Sequence, residues 1–193
     1  MLAEDASDEI LMEAYARGGD RRAFELLFRR HGPRLRGYFL RTCNQEALVE
    51  DFVQQTFLHL HRARADFRAG APFRPWLYTI ATNVRREHFR RVSRRPETPH
   101  DPERHPEPAV GPGTTSASDR LLRRCLAELP DAQREVLVLH WYEDLGFAEI
   151  AQMLGESETA VKVRAHRAYE RLRAAMGVRN QRKAGSVDGG GTP

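Results

Sequence analysis

Cysteine is nearly absent from the chain: among 193 residues only Cys43 and Cys125 occur, far apart and without paired-ligand spacing. Neither a disulfide framework nor a cysteine zinc site is indicated, which suits a reducing compartment. No stretch approaches 18 uninterrupted apolar residues, and the acidic N-terminal residues lack an apolar leader core. The expectation is a soluble, cytoplasmic protein without membrane insertion. Strand-like alternation and internal repeats are also missing, so a sheet or a solenoid is not expected. Histidines do not make up a catalytic or metal constellation. His59 and His61, two apart, point to different sides of a helix, and His100 and His105 lie in a proline-rich stretch. No catalytic residue, metal or cofactor is assigned, and an enzyme is not expected.

What the chain does have is helical patterning and unevenly spread charge. Its 40% hydrophobic content is enough for helical cores. The formal charge is only +4, yet residues 85–95 hold six Arg against one Glu, while Asp and Glu dominate the first 20 residues. Basic stretches of this kind either meet an anionic partner or form a solvated helix face.

Ser7 caps a first predicted helix, which Gly18 and Gly19 end. Asp20 caps a second that carries Ala23, Phe24, Leu27 and Phe28, with an interruption expected at His31-Gly32-Pro33 before Leu35, Tyr38 and Phe39. Asn44 opens a long helix with the stripe Val49, Val53, Thr56, Phe57 and Leu60. A further helix is expected to bury Trp76, Leu77, Ile80, Ala81 and Val84. From Ser93 to Ser118 the chain turns rich in Pro, Gly and small polar residues, the composition of a flexible linker. Ser118 or Asp119 then caps a second unit, with Pro130 as a break and Val136, Leu137, Leu139 and Trp141 on the next inner face. The fold expected is all-α: two small helical domains, 7–94 and 119–176, tethered by a linker at 95–118 and followed by a disordered tail at 177–193.

The segment FAEIAQMLGESETAVKVRAHRAYERLR, residues 147–173, has helix-turn-helix spacing at Ala151, Gly155 and Val161. Small Ala lets two helices cross closely, Gly permits the tight turn, and the branched residue locks the second helix onto the first. The buried stripe of that second helix is Val161, Ala165, Ala168, Leu172 and Met176. Its opposite face carries Thr159, Val163 and His166, flanked by Lys162 and Arg167, in the turns that reach base edges in a major groove. Lys162 and Arg167 can donate to guanine or phosphate, whereas Val163 can only touch a thymine methyl or pack on sugar. Arg164, Arg171 and Arg173 suit phosphates or simple solvation.

In RPWLYTIATNVRREHFRRVSRR, from Arg74, the face away from Trp76, Ile80 and Val84 interleaves Tyr78, Thr82, Arg85, Arg86 and Phe89, with Asn83 at its edge. Aromatics that stack and arginines that follow phosphates suit single-stranded DNA better than duplex. Phe67 and Phe73 either wall a pocket for a flipped base or anchor the core. On the long helix, Leu48, Asp51, Gln55, Leu58 and Arg62 lie opposite the apolar stripe, with Gln54 at the margin. That mixed face is either a surface for a protein partner or a scatter of ordinary exposed leucines.

With these segments in this order, the chain resembles a sigma-70-type RNA polymerase initiation factor of the small extracytoplasmic-function group, over about Ala23 to Met176. DFVQQTFLHLHR, from Asp51, resembles the family's polymerase-clamp-binding helix. FRPWLYTIATNVRREHFRR, from Phe73, resembles its minus-ten melting and recognition segment. The residues from Leu126 through Arg173 resemble its minus-35 domain. The resemblance implies core polymerase contacts at Leu48, Asp51, Gln54, Gln55 and Leu58, with Phe57 structural. It implies minus-ten contacts at Phe67, Phe73, Tyr78, Asn83, Arg85 and Arg86, with Asn83 and the 67–73 loop at the captured base. Minus-35 contacts fall on Thr159, Lys162, Val163, His166 and Arg167. An anti-sigma factor is implied as a further partner. Gln55 stands where the family often has Glu, and Val163 where Ser is common. A stand-alone helix-turn-helix regulator, with the first unit as sensor or dimeriser, is the other reading of the same residues.

Overall fold

The computed structural model of the chain describes residues 5–43, 45–94 and 117–185. Helices α1 (Asp8–Gly18), α2 (Arg21–Thr42), α3 (Val49–Arg62) and α4 (Phe73–Ser93) form the first group. Helices α5 (Ala117–Ala127), α6 (Asp131–Trp141), α7 (Phe147–Leu154) and α8 (Glu158–Gly185) form the second. The fold is all-α, with no strand among the described residues.

Local chemistry sets most of the boundaries. The Ser7 hydroxyl accepts from the Ile10 amide at 3.4 Å, and Gly19 closes α1 in the left-handed region at φ 66°. Asp20 accepts from the amides of Arg22 and Ala23 at 2.9 and 3.1 Å, opening α2. Beyond this point α2 departs from the pattern expected of it, because it runs unbroken through His31-Gly32-Pro33. A proline inside a helix costs about 3 kcal/mol through its missing donor and ring clash. Tertiary contacts offset that cost. Leu26, Leu27, Leu35, Tyr38 and Phe39 are buried on either side of Pro33. Asp8 of α1 also holds His31 at 2.7 Å and Arg30 at 2.8 Å. Burial alone would raise the Asp8 carboxyl, but those two partners bring it below its usual value.

Other expectations shift by a few residues. Asn44 lies outside the described residues, and α3 starts at Val49 after a short 3-10 turn at Glu46–Leu48. Helix α5 already includes Ser118 and Asp119, so neither precedes it as a cap. Helix α8 continues past Met176 to Gly185, because the residues after Gly177 up to Ala184 include no proline and no second glycine. The expected linker, 95–118, falls outside the described residues except for its last two positions.

The two helix groups are not merely tethered. Helix α2 packs on α5 and α6, and α4 packs on α7. One hydrophobic cluster joins Leu35, Tyr38, Leu77 and Tyr78 to Val136, Leu139, Leu145, Ile150 and Val161. A smaller one holds Cys125, Leu126, Leu129, Leu137, Ala168 and Leu172. Linker composition carries no information about such a contact, since apolar side chains of either group can face their own core or the other group.

Gly155 closes α7 at φ 68°, with nothing within 4 Å of the place a Cβ would occupy. Substitution there strains only the backbone. Gly155→Ala is expected to lower the unfolding free energy by about 1 kcal/mol, while Gly155→Asn loses less because Asn visits this region readily. Denaturant unfolding of both variants checks this, and an alanine variant as stable as the parent would contradict it.

Candidate functional site

The α7–α8 pair is a helix-turn-helix built from few parts. Glu149 accepts from the Gly146 amide at 2.7 Å at the start of α7, and Ser157 accepts from the Ala160 amide at 3.2 Å at the start of α8. Val161, Ala168 and Leu172 anchor α8 in the two clusters. Thr159, Lys162, Val163, His166 and Arg167 are all exposed along its opposite face. Lys162 pairs with Glu158 at 2.7 Å, but both side chains are about half exposed, so the pair is weak and its ammonium can swing to another anion. Arg164 is partly buried and not free. Its guanidinium grips Glu156, with one contact at 2.9 Å, and thereby braces the turn.

Two aromatics extend this surface beyond the expected residues. Trp141, placed by its spacing on an inner face, is 53% exposed, and its ring lies 5.3 Å from that of the exposed Tyr169. The signal for Tyr169 was available, because it follows Lys162 by seven residues and shares its side of α8.

Helix α4 corrects the expected single-strand face. Tyr78 and Phe73 are fully buried, Arg85 is 4% exposed and Phe67 8%. Phe67 and Phe73 are core anchors: with Trp76 they form an aromatic cluster, Phe67 to Trp76 at 5.1 Å, and His31 meets Phe73 edge-on at 5.1 Å. Tyr78 and Arg85 lie at the contact between the helix groups. Tyr78 donates to the Glu143 carboxylate, and Arg85 meets Glu135 at 2.9 Å. Burial and the adjacent Glu143 keep the Tyr78 phenol protonated far above its ordinary range. Burial would lower Arg85, yet Glu135 more than reverses this and raises it. Trp76 and Ile80, expected inside, are only partly buried. The physical reason is that α4 is covered on two sides, by α3 and by the second helix group, rather than on one.

Asn83 and Arg86 remain at the surface. Asn83 and His59 border two adjoining grooves between α3 and α4. One, of about 430 Å³, adds Gln55, Arg86 and His88; the other, of about 360 Å³, adds Arg62, Asp66 and Ile80. An amide between two concave surfaces can donate to one group and accept from another, which is what reading a base edge requires.

Helix α3 turns Val49, Val53, Phe57 and Leu60 inward. Outward lie Asp51, Gln54 and Leu58, the last 45% exposed, with Leu48 and Gln55 half-buried. Gln55 donates to Asp51 at 2.6 Å. Phe28, expected inside, is 46% exposed and rests on Phe57 at 4.7 Å, adding apolar area beside this face. The remaining histidine of α3, His61, bonds the Tyr15 hydroxyl at 2.5 Å.

Comparison with known proteins places these surfaces in context. Residues 27–95 match the family model for sigma-70 region 2, and residues 119–172 match that for sigma-70 region 4. The chain is similar to the RNA polymerase sigma factor CarQ of Myxococcus xanthus, with 39% identity over 83% of this chain and 93% of CarQ. It is also similar to the ECF RNA polymerase sigma factor SigM of Mycobacterium tuberculosis, with 32% identity over 91% of this chain and 88% of SigM. Among solved structures, CnrH in complex with the cytosolic domain of CnrY is similar at 30% identity and a TM-score of 0.67, over 90% of this chain and 99% of CnrH.

Proposed function

The chain belongs to the sigma-70 family of RNA polymerase initiation factors, in the extracytoplasmic-function group, and on that premise we propose how its surfaces divide the work of opening a promoter. It is a transcription initiation factor. Helix α3 docks on core polymerase through Asp51, Gln54 and Leu58, with Leu48 and Gln55 at the edges. Helix α8 reads the minus-35 duplex through Thr159, Lys162, Val163, His166 and Arg167. Asn83 holds an unpaired minus-ten base at the paired grooves, and Arg86 follows the strand. The factor works by binding rather than by catalysis, in the cytoplasm. The two units, 7–94 and 119–176, reach separated DNA elements at once through the linker at 95–118, which raises the effective concentration of the second contact after the first has formed. CnrH is solved in complex with the cytosolic domain of CnrY, and in this reading an anti-sigma factor holds the present chain in check.

The observation that carries this reading is the exposure of all five α8 side chains on one face, while Val161, Ala168 and Leu172 fix the other in the core. Val163, at 44% exposure, offers methyl groups where a hydroxyl would accept and donate. A thymine methyl in the bound element is the expected preference. A stand-alone regulator would explain residues 119–172 but leaves the region 2 match unused.

Lys162→Ala is expected to weaken holoenzyme binding to a minus-35 duplex selected from a random pool, by roughly tenfold for a base contact. For a phosphate contact the loss is uniform across sequences and the salt slope falls by about one. Fluorescence anisotropy across a salt series separates the two. Unchanged affinity at every salt concentration would place the reading face elsewhere on α8.

A further inference from the structure

Helix α1 precedes residues 27–95, the match to sigma-70 region 2, yet two of its carboxylates bond backbone amides far along the chain. Glu13 accepts from the Gly70 amide at 2.9 Å, and Glu9 accepts from the Phe73 amide at 3.1 Å. The Phe73 amide is the first of α4. Pro72, just before it, makes no side-chain cap, and Pro75 brings no amide to the first turn. Glu9 thus caps α4 from another helix, with its negative charge at the positive end of the helix dipole. Gly70 sits at φ 74° in the exposed stretch from Arg68 to Gly70, closed by a turn in which the Ala71 amide donates to the Arg68 carbonyl at 3.0 Å. Glu9 and Glu13 are one helical turn apart, and like charges at that spacing weaken an isolated helix. The pair that Glu13 makes with Arg17 at 3.3 Å offsets little of this, because Arg17 is 74% exposed. The amide partners account for the arrangement. Leu11, Met12 and Tyr15 seat α1 in the core, and Asp8 ties it to Arg30 and His31 of α2, so both carboxylates stand on a fixed support.

The segment 67–73 runs between the two walls of the groove of about 360 Å³: Asp66, just before it, lies on one wall, and Ile80 and Asn83 of α4 on the other. We infer that Glu9 and Glu13 are positioning residues for minus-ten recognition: by bonding the Phe73 and Gly70 amides they hold this segment against α4 and set the width of the groove that Asn83 borders. The inference rests on the assignment of Asn83 to the unpaired base and adds two residues outside the matched region. Phe67 and Phe73 anchor the ends of the segment by burial, but apolar contact is non-directional. The carboxylates add direction, since a hydrogen bond constrains angle as well as distance. Without them the exposed residues between the two rings would be ordered only as DNA binds, and the entropy lost at that moment would weaken binding. A groove of variable width also takes several bases with similar ease, so selectivity falls together with affinity.

The test combines Glu9→Ala with Glu13→Ala in the full chain, assembled with core polymerase. Beside it stands a Glu9→Gln, Glu13→Gln pair, which keeps an acceptor oxygen at both positions. A promoter selected from a random pool with the parent holoenzyme is varied through all four bases at each minus-ten position, and heparin-resistant complexes report opening. The alanine pair is expected to open the selected promoter about tenfold less, the scale of one lost charge-assisted hydrogen bond, and to flatten the preference among bases at one position. Polymerase co-purification and minus-35 duplex binding stay at the parent level, and the glutamine pair recovers most of the base preference. Hydrogen exchange at the Gly70 and Phe73 amides is expected to quicken in the alanine pair and to stay slow in the glutamine pair. Positioning by these carboxylates is overturned if the alanine pair keeps the parent's base preference, whether or not opening falls. It is equally overturned if the alanine pair also loses polymerase binding, or if the glutamine pair is as indiscriminate as the alanine pair. A parent holoenzyme whose opening is indifferent to Asn83→Ala would instead sink the minus-ten assignment, and this inference with it.

Discussion

Asp51→Ala combined with Gln54→Ala is expected to abolish co-purification with core RNA polymerase, with a loss of at least ~3 kcal/mol, about a hundredfold in Kd. Both side chains are exposed and lie three residues apart on the outer face of α3, so they act at one spot. Their removal leaves the core intact, since the inner stripe of Val49, Val53, Phe57 and Leu60 is untouched. At the surface the Gln55 to Asp51 hydrogen bond disappears, together with the attraction of Asp51 for His88. Circular dichroism of the double variant should therefore match that of the parent. Phe57→Ala supplies the contrast: it opens a cavity under α3 and loses binding together with stability, by roughly 3 to 5 kcal/mol. A double variant still retained on polymerase would move the docking face away from α3, with Phe28 and its neighbours the next surface to test.

Asn83→Ala is expected to separate two steps that usually fail together. In the proposed division of surfaces, closed-complex binding depends on the minus-35 face and the polymerase contact, and Asn83 takes part in neither. Open-complex formation needs an unpaired base to be held, and unstacking that base costs a few kcal/mol. Loss of an amide that donates and accepts within a partly enclosed groove removes about 1 to 3 kcal/mol of the compensation, roughly tenfold to a hundredfold in open complexes. Permanganate reactivity of unpaired thymines reads the open state, and filter binding at low temperature reads the closed one. Equal losses in both assays would remove Asn83 from the minus-ten role. Because Asn83 is exposed and borders both grooves, the substitution carries little folding cost to confuse the result.

Helices covered on one side were legible from spacing. Helix α3 buries the stripe its periodicity indicates, and α8 buries Val161, Ala168 and Leu172 of its own, because the partners of each helix leave it one apolar face and one polar face. Helix α4 was misread because its polar residues are not all outside. Arg85 and Tyr78 carry long stems with polar tips, and their burial depends on acids 50 and 65 residues away, which no local window contains. Pro33 is a different failure. The local rule for proline is sound, but the burial around it and the Asp8 to His31 contact outweigh the rule, and those contacts come from another helix. Trp141 and Phe28 fit their apolar stripes by position, yet each sits at the margin, where a large ring projects past the packed layer. The resemblance supplied the order of the two family regions, matched at 27–95 and 119–172. It could not supply the contact between them.

Thr159, Lys162, Val163, His166 and Arg167 are all exposed, and the polar contacts of Glu135 and Glu143 between the helix groups lie on other residues. Substitutions on such a surface change stability by only about 0.5 kcal/mol in either direction. Glu135 and Glu143, by contrast, cannot change without disturbing partners in another part of the chain. On the proposed assignment of α8 to the minus-35 duplex, new promoter vocabularies can therefore arise in evolution, or be installed by engineering, by rewriting five letters on α8 while Glu135 and Glu143 stay frozen.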